Sequence, residues 1–410
     1  MDPHFEYLTG TVTVPASAPT EWQTEGLGEF YRAPNDDDWG ATLCRVLYHE
    51  SIHFWQLFSS AYVGNLLADD WSRLQHFRST GEIKPLGPEA RQYDNVAEGL
   101  PFTPRNLVEC WARFWDIHTR GPHAIIRDEG YPAEEVNRLE IINPYTGIKS
   151  YTDEAFDYLM KGGRGSSLYE QPYRWLLDQT HGHSAFVAIT FPILVHSAFG
   201  SPNPVAVFCE AFDRAWNSRF LREAINQRSG DINLDWLNQW SAVIGEAHTP
   251  VIQKHHLPVF TSGLDVIERG SLGSHPIYKE YVDQVKVLRG HLNLYKQQFA
   301  ARPVPSDITE LYTYATVDMP IRDPWVVFGL PGQPDYRYIL GHAFRPARVQ
   351  FDNYVLDSHR PAERQLREML AGEGGDKTYS SVLDDLTPLV ERFRRAEYAV
   401  SRGLSADAFE

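Results

Sequence analysis

Apolar positions recur at helical spacing through most of the chain. From Ala41 to Leu67 the residues are overwhelmingly apolar or small, broken mainly by Arg45, His49, Glu50, His53 and Gln56. Just ahead, Asn35-Asp36-Asp37-Asp38 supplies an N-cap and the first-turn acids that the positive end of a helix favours. The pattern predicts one long helix from about residue 38, bending near Gly64 and ending before Gly81. A second periodic run, Leu107, Trp111, Phe114, Trp115 and His118, follows Thr103 as N-cap and Pro104 at the first helical position, and stops at Gly121-Pro122. Further helices are expected at about 132–141, 152–162, 168–181, 184–199, 204–227, 233–247, 276–301, 361–372 and 379–402. Alternating β-branched residues from Thr9 to Val14 predict a strand, and Gly26 to Arg32 a second short one. Residues 81–102, rich in Gly and Pro, read as loop, and residues 323–350 as loop and strand. The expected fold class is mainly α: a multi-helix domain built around the helix carrying His49, with small β elements near the N-terminus and around 323–350. Ala301-Arg302-Pro303-Val304-Pro305 marks a soft boundary between a helical domain, 1–300, and a C-terminal helical segment, 301–410, packed on it.

Residues four apart on a helix lie one above the other. His49 and His53 therefore present two imidazoles to one point, with Gln56 one turn further along the same side and Glu50 next door. Two histidines and a glutamate in an otherwise apolar helix are costly to bury unless something satisfies them. The spacing is the His-Glu-x-x-His arrangement, two ligands for a metal ion and a carboxylate to handle the proton of its water. A third ligand has several candidates. Glu109 lies among apolar neighbours on the second periodic helix, with the small Ala112 three residues on leaving room for another helix to approach. Glu210, Glu246 in Gly245-Glu246-Ala247-His248, and His181 are its rivals. Arg113, four residues after Glu109 on the same side, is suited to pair with it or to face a substrate anion. His181 sits at a helix junction, Asp178-Gln179-Thr180-His181-Gly182-His183-Ser184, and is a candidate donor to a developing oxyanion.

His49-Glu50-x-x-His53, followed on a later helix by Glu109-x-x-Ala112, resembles the active-site signature of gluzincin-type zinc metallopeptidases. The resemblance spans residues 38 to 119 and implies His49, His53 and Glu109 as zinc ligands with Glu50 as general base. Arg113 departs from the acid that some gluzincins carry after the Ala. More distantly, the chain resembles His-Glu-x-x-His proteins that act as 2-oxoglutarate-dependent iron oxygenases on peptides. On that reading Fe²⁺ takes the same ligands and Arg113 clamps the 2-oxo acid. A di-iron site built on Glu50-x-x-His53 would need a second such pair, for which Asp178-x-x-His181 is the nearest substitute. Hydrolysis of a peptide or amide bond is favoured, because Glu50 then has a defined task. A non-catalytic helical binding protein is the remaining alternative.

Composition narrows the partners. The chain has 410 residues, 42% hydrophobic and 13% aromatic, enough to bury a substantial core. Lys and Arg number 38 against 54 Asp and Glu, a net charge of −16. Nucleic acid and anionic membranes both call for a basic surface, so neither is an expected partner; a peptide or small molecule is. Arg345, Arg348, Arg360, Arg364 and Arg367 have acids interleaved and read as a solvated face. The three cysteines, Cys44, Cys110 and Cys209, sit in apolar settings without paired spacing, which argues for core residues rather than a disulfide framework. No basic, then apolar, leader is visible at the first residues, and the longest apolar run, Ala185 to Phe199, is short for a membrane span. A cytoplasmic protein is expected.

Overall fold

In the computed structural model, the structure describes residues 4–18, 49–50, 52–53, 56–57, 60–120, 140–142, 149–151, 160, 170–218, 248–257, 266, 271–275, 277–278, 347–357 and 379–403. In chain order the elements are β1 (His4–Glu6), β2 (Thr11–Val14), α1 (Ala61–Thr80), α2 (Pro88–Tyr93) and α3 (Pro104–Arg120). There follow β3 (Glu140–Ile142), β4 (Lys149–Tyr151), α4 (Glu170–Gln179), α5 (Ser184–Ala198) and α6 (Pro204–Asn217). A 3-10 turn (Ser271–Ser274), β5 (Arg348–Phe351), β6 (Val355–Asp357) and α7 (Tyr379–Ser401) complete the set. His49, Glu50, Ile52, His53, Gln56 and Leu57 are also helical, ahead of α1. Helix predominates among the described residues, beside a small sheet, and none of these helices is long and apolar enough to cross a membrane.

The chain divides into two compact units, residues 1–33, 57–91 and 262–410 in one, 34–56 and 92–261 in the other. The division follows contacts rather than chain order.

In the first unit the sheet runs β1-β2-β5-β6. The β1–β2 and β5–β6 pairs are antiparallel, and β2 and β5 are parallel, with Thr11 opposite Arg348 and Val14 opposite Phe351. The turn before β2 requires Gly10: its φ is +62° and an added Cβ would meet Ala347 Cβ at 3.3 Å. Helix α1 buries Val63, Leu67, Trp71 and Leu74 along one stripe, with Tyr62 and Phe77 beside them. Each contributes roughly 1.5–3 kcal/mol of apolar burial. Phe77 meets Phe393 of α7 and Trp71 meets His275. Arg394 of α7 forks onto both carboxylate oxygens of Glu6, at 2.8 and 3.0 Å, and also reaches Asp70 and Glu397. Burial alone would raise the Glu6 pKa; the guanidinium holds it below the ordinary value.

Local differences from expectation have local causes. The long first helix is interrupted at Ser60, which is extended (φ −124°, ψ 120°) and caps α1 by accepting from Val63 N at 3.1 Å. Gly81, in the left-handed region, closes α1 where the sequence predicts. The 81–102 loop holds the six-residue α2, which buries nothing. The end of the expected 132–141 helix is strand instead: β-branched Ile141 and Ile142 lie in β3, paired to β4. Arg348 is not solvated; it is 8% exposed and bound to Asp384 at 3.0 Å. The strand expected in 323–350 appears at Arg348–Phe351, while 323–346, Gly26–Arg32 and the helices at 233–247 and 361–372 lie outside the described residues.

In the second unit α3 packs against α4, α5 and α6. Leu107, Val108, Cys110, Trp111, Ala112 and Phe114 are buried on α3. Trp111 stacks on Phe199 with planes 13° apart, and Phe102, Trp175, Phe208 and Phe212 form an edge-and-tilt aromatic cluster beneath. The start of α3 is fixed by reciprocal caps: Thr103 Oγ1 accepts from Asn106 N at 3.0 Å, and Asn106 Oδ1 accepts from Thr103 N at 3.1 Å. That cap sets the helical phase at which Glu109 emerges.

Candidate metal centre

His49 and His53 lie one helical turn apart with ring centroids 5.0 Å apart and planes at 85°. Their two Nε2 atoms face one oxygen, Glu109 Oε2, at 3.3 Å from His49 and 3.4 Å from His53. The three donor atoms lie within 4.8 Å of one another, and this is the single group of that kind among the described residues. His53 is 5% exposed and Gln56 1%; His49 and Glu109 side chains keep 17% each, so the cluster reaches solvent on one side.

The protonation of His53 follows from its neighbours. Val108 O can only accept, so the amide nitrogen of Gln56 is the atom that meets it, at 2.9 Å. Gln56 Oε1 is thereby turned to His53 Nδ1, at 2.8 Å, and Nδ1 must carry the hydrogen. In neutral His53 the lone pair then sits on Nε2, aimed at a carboxylate oxygen. Two acceptors facing each other require a cation between them. In the metal-free protein that cation is a proton: burial alone would lower the His53 pKa, but Glu109, with help from Glu50, raises it to about 9. Burial would likewise raise the pKa of Glu109; His53 and His49 hold it well below the ordinary carboxylate value.

Glu50 is helical and 8% exposed, near enough to His53 for its charge to count. Arg113 is 3% exposed, one turn beyond Glu109 on α3. His181 is not a member of that ligand group. It is exposed at the C-terminus of α4 with φ +53°, the residue that ends the helix: Gly182 N donates to Leu177 O and His181 N to Asp178 O. His181→Gly is therefore expected to stabilise the protein by about 1 kcal/mol, read by chemical denaturation. Glu210 is engaged elsewhere, accepting from Lys254 and His255 at 2.8 Å each, and Glu246 lies outside the described residues. Gln56 is the residue whose task sequence reasoning missed. Its place one turn past His53 was the available signal, but the carbonyl it answers belongs to another helix.

No protein-family model matches the chain, and neither a curated protein nor a solved structure matches it. The residues that converge at Glu109 Oε2 are accordingly the ground on which a function is assigned.

Proposed function

We propose that His49, His53 and Glu109 hold one divalent metal ion, zinc by preference, and that the chain hydrolyses a peptide or amide bond. The observation that carries this reading is the convergence of two imidazole nitrogens on one carboxylate oxygen, with the His53 lone pair turned into the gap. Ligands about 2.0–2.1 Å from a tetrahedral zinc lie about 3.3 Å from one another, the spacing of both His–Glu pairs. Such an ion would lower the pKa of a bound water to about 7 and polarise the carbonyl it attacks. Glu50 would accept that water's proton and return it to the leaving nitrogen. The partial exposure of His49 and Glu109 leaves a side open to a substrate. A cytoplasmic setting fits the free thiols of Cys110 and Cys209.

Arg113 supports a second reading. A cation buried one turn from Glu109 suits the distal carboxylate of a 2-oxo acid, and Fe²⁺ in the same triad would leave three further positions. Elemental analysis of protein purified without added metal separates the two. Zinc with cleavage of fluorogenic peptides is the expected result; iron, with oxygen consumed only when 2-oxoglutarate is present, would replace it.

Stability against pH offers an independent check. His53 is raised from 6.5 to about 9. In metal-free protein its contribution is therefore complete below pH 6.5 and disappears as pH rises through 9. Glu109 is lowered, so its contribution holds above pH 4.5 and fades only in stronger acid. With zinc bound, His53 carries no proton at the metal in the folded state and none in the unfolded chain above pH 6.5, so its contribution should stay level over the same rise from 6.5 to about 9. Melting curves in chelator and in excess zinc are expected to diverge across that window. Parallel curves would count against the site.

A further inference from the structure

We propose that Gln56 is a positioning residue for this centre, setting the tautomer of His53 and holding the helix of His49 and His53 in register with α3. The inference rests on the metal-binding reading above. Its amide is 1% exposed, so neither half has water to fall back on. One half donates to Val108 O, the residue immediately before Glu109; the other accepts from His53 Nδ1. A single planar group thus joins one ligand directly to the backbone beside another. Rotating the amide would bring its oxygen against Val108 O and its NH₂ against His53 N–H, so only one orientation is satisfied. The carbonyl of a helix selects the face of the amide, the amide selects the protonated nitrogen, and the remaining nitrogen is the one turned to Glu109 Oε2. The same amide sets the spacing of the two helices, because shifting α3 along its axis would break its bond to Val108.

Partners of this kind are typically worth 10- to 100-fold in metal affinity. Gln56→Met keeps the length of the side chain while removing both hydrogen bonds; Gln56→Glu keeps the acceptor for His53 and removes the donor to Val108. The probe is Zn²⁺ alone, by competition with a chromophoric chelator. It serves for either metal, since such sites bind zinc more tightly than Fe²⁺. Gln56→Met is expected to bind zinc about 10- to 100-fold more weakly, and Gln56→Glu, which keeps the acceptor for His53 but loses the bond to Val108, to lie between Gln56→Met and wild type. In ¹⁵N-correlated NMR of the metal-loaded proteins, the His53 Nδ1–H signal should be protected from solvent exchange in wild type and exchange-broadened in Gln56→Met. If wild type binds zinc and Gln56→Met binds it equally well, with Nδ1–H still protected, the positioning role is overturned while the metal centre stands. If wild type binds no zinc, the metal centre itself falls. Should Gln56→Met fail to fold, a Gln56→Glu protein that binds zinc as tightly as wild type also overturns the proposal.

Discussion

His53→Ala is expected to weaken zinc binding by more than about 100-fold, beyond what an outer partner of a ligand is worth. The substitution removes one of three donors and the residue that Gln56 orients, leaving His49 and Glu109 with a water-filled gap. Glu109→Ala should have a comparable effect, because its Oε2 is the atom both imidazoles face. Glu210→Ala is the control: its carboxylate is occupied by Lys254 and His255, so zinc affinity should not change. Chelator competition on protein whose fold is verified by circular dichroism reads all three. Wild-type affinity in His53→Ala would remove the centre, and an effect of Glu210→Ala alone would relocate it.

Glu50→Gln is expected to retain zinc and lose about 10²- to 10⁴-fold in peptide hydrolysis, the usual contribution of a positioned proton acceptor. The amide is nearly the same size as the carboxylate, so packing at a site 8% exposed is preserved and basicity is what changes. The effect should appear in kcat more than in KM, since the proton moves in the transition state. Undiminished hydrolysis in Glu50→Gln, with zinc bound, would contradict the assigned base. Loss of zinc as well as of turnover would make Glu50 a support of the site instead.

What the sequence makes legible is what neighbours along the chain decide. His49 and His53 share a face because the helix repeats, and Thr103 with Pro104 announces the start of α3 because a cap is satisfied within one turn. From those two facts Glu109 is a reasonable third donor before any fold is known. Ser60 shows where local reading stops short: a glycine four residues on looks like the weaker point, yet the serine hydroxyl competes for the backbone and begins a new helix. Gln56 and Arg348 illustrate the other failure. Both look like ordinary polar side chains, and both are buried against groups, Val108 O and Asp384, that only tertiary packing supplies. Ile141 and Ile142 belong to the same class, since a strand depends on a partner that helix periodicity does not reveal.

The parallel pairing of β2 with β5, continued by Ala18 N donating to Asn353 Oδ1 across 335 positions, imposes an order on synthesis. At about 5–20 residues per second, a ribosome needs roughly 20–60 s between making the two strands. Throughout that interval the β1–β2 hairpin has a bare edge of amides and carbonyls, while the segments that carry His49, His53 and Glu109 have already emerged. A nascent chain halted before residue 348 should therefore be retained by chaperones through its first residues, even when its histidines and glutamate have found one another.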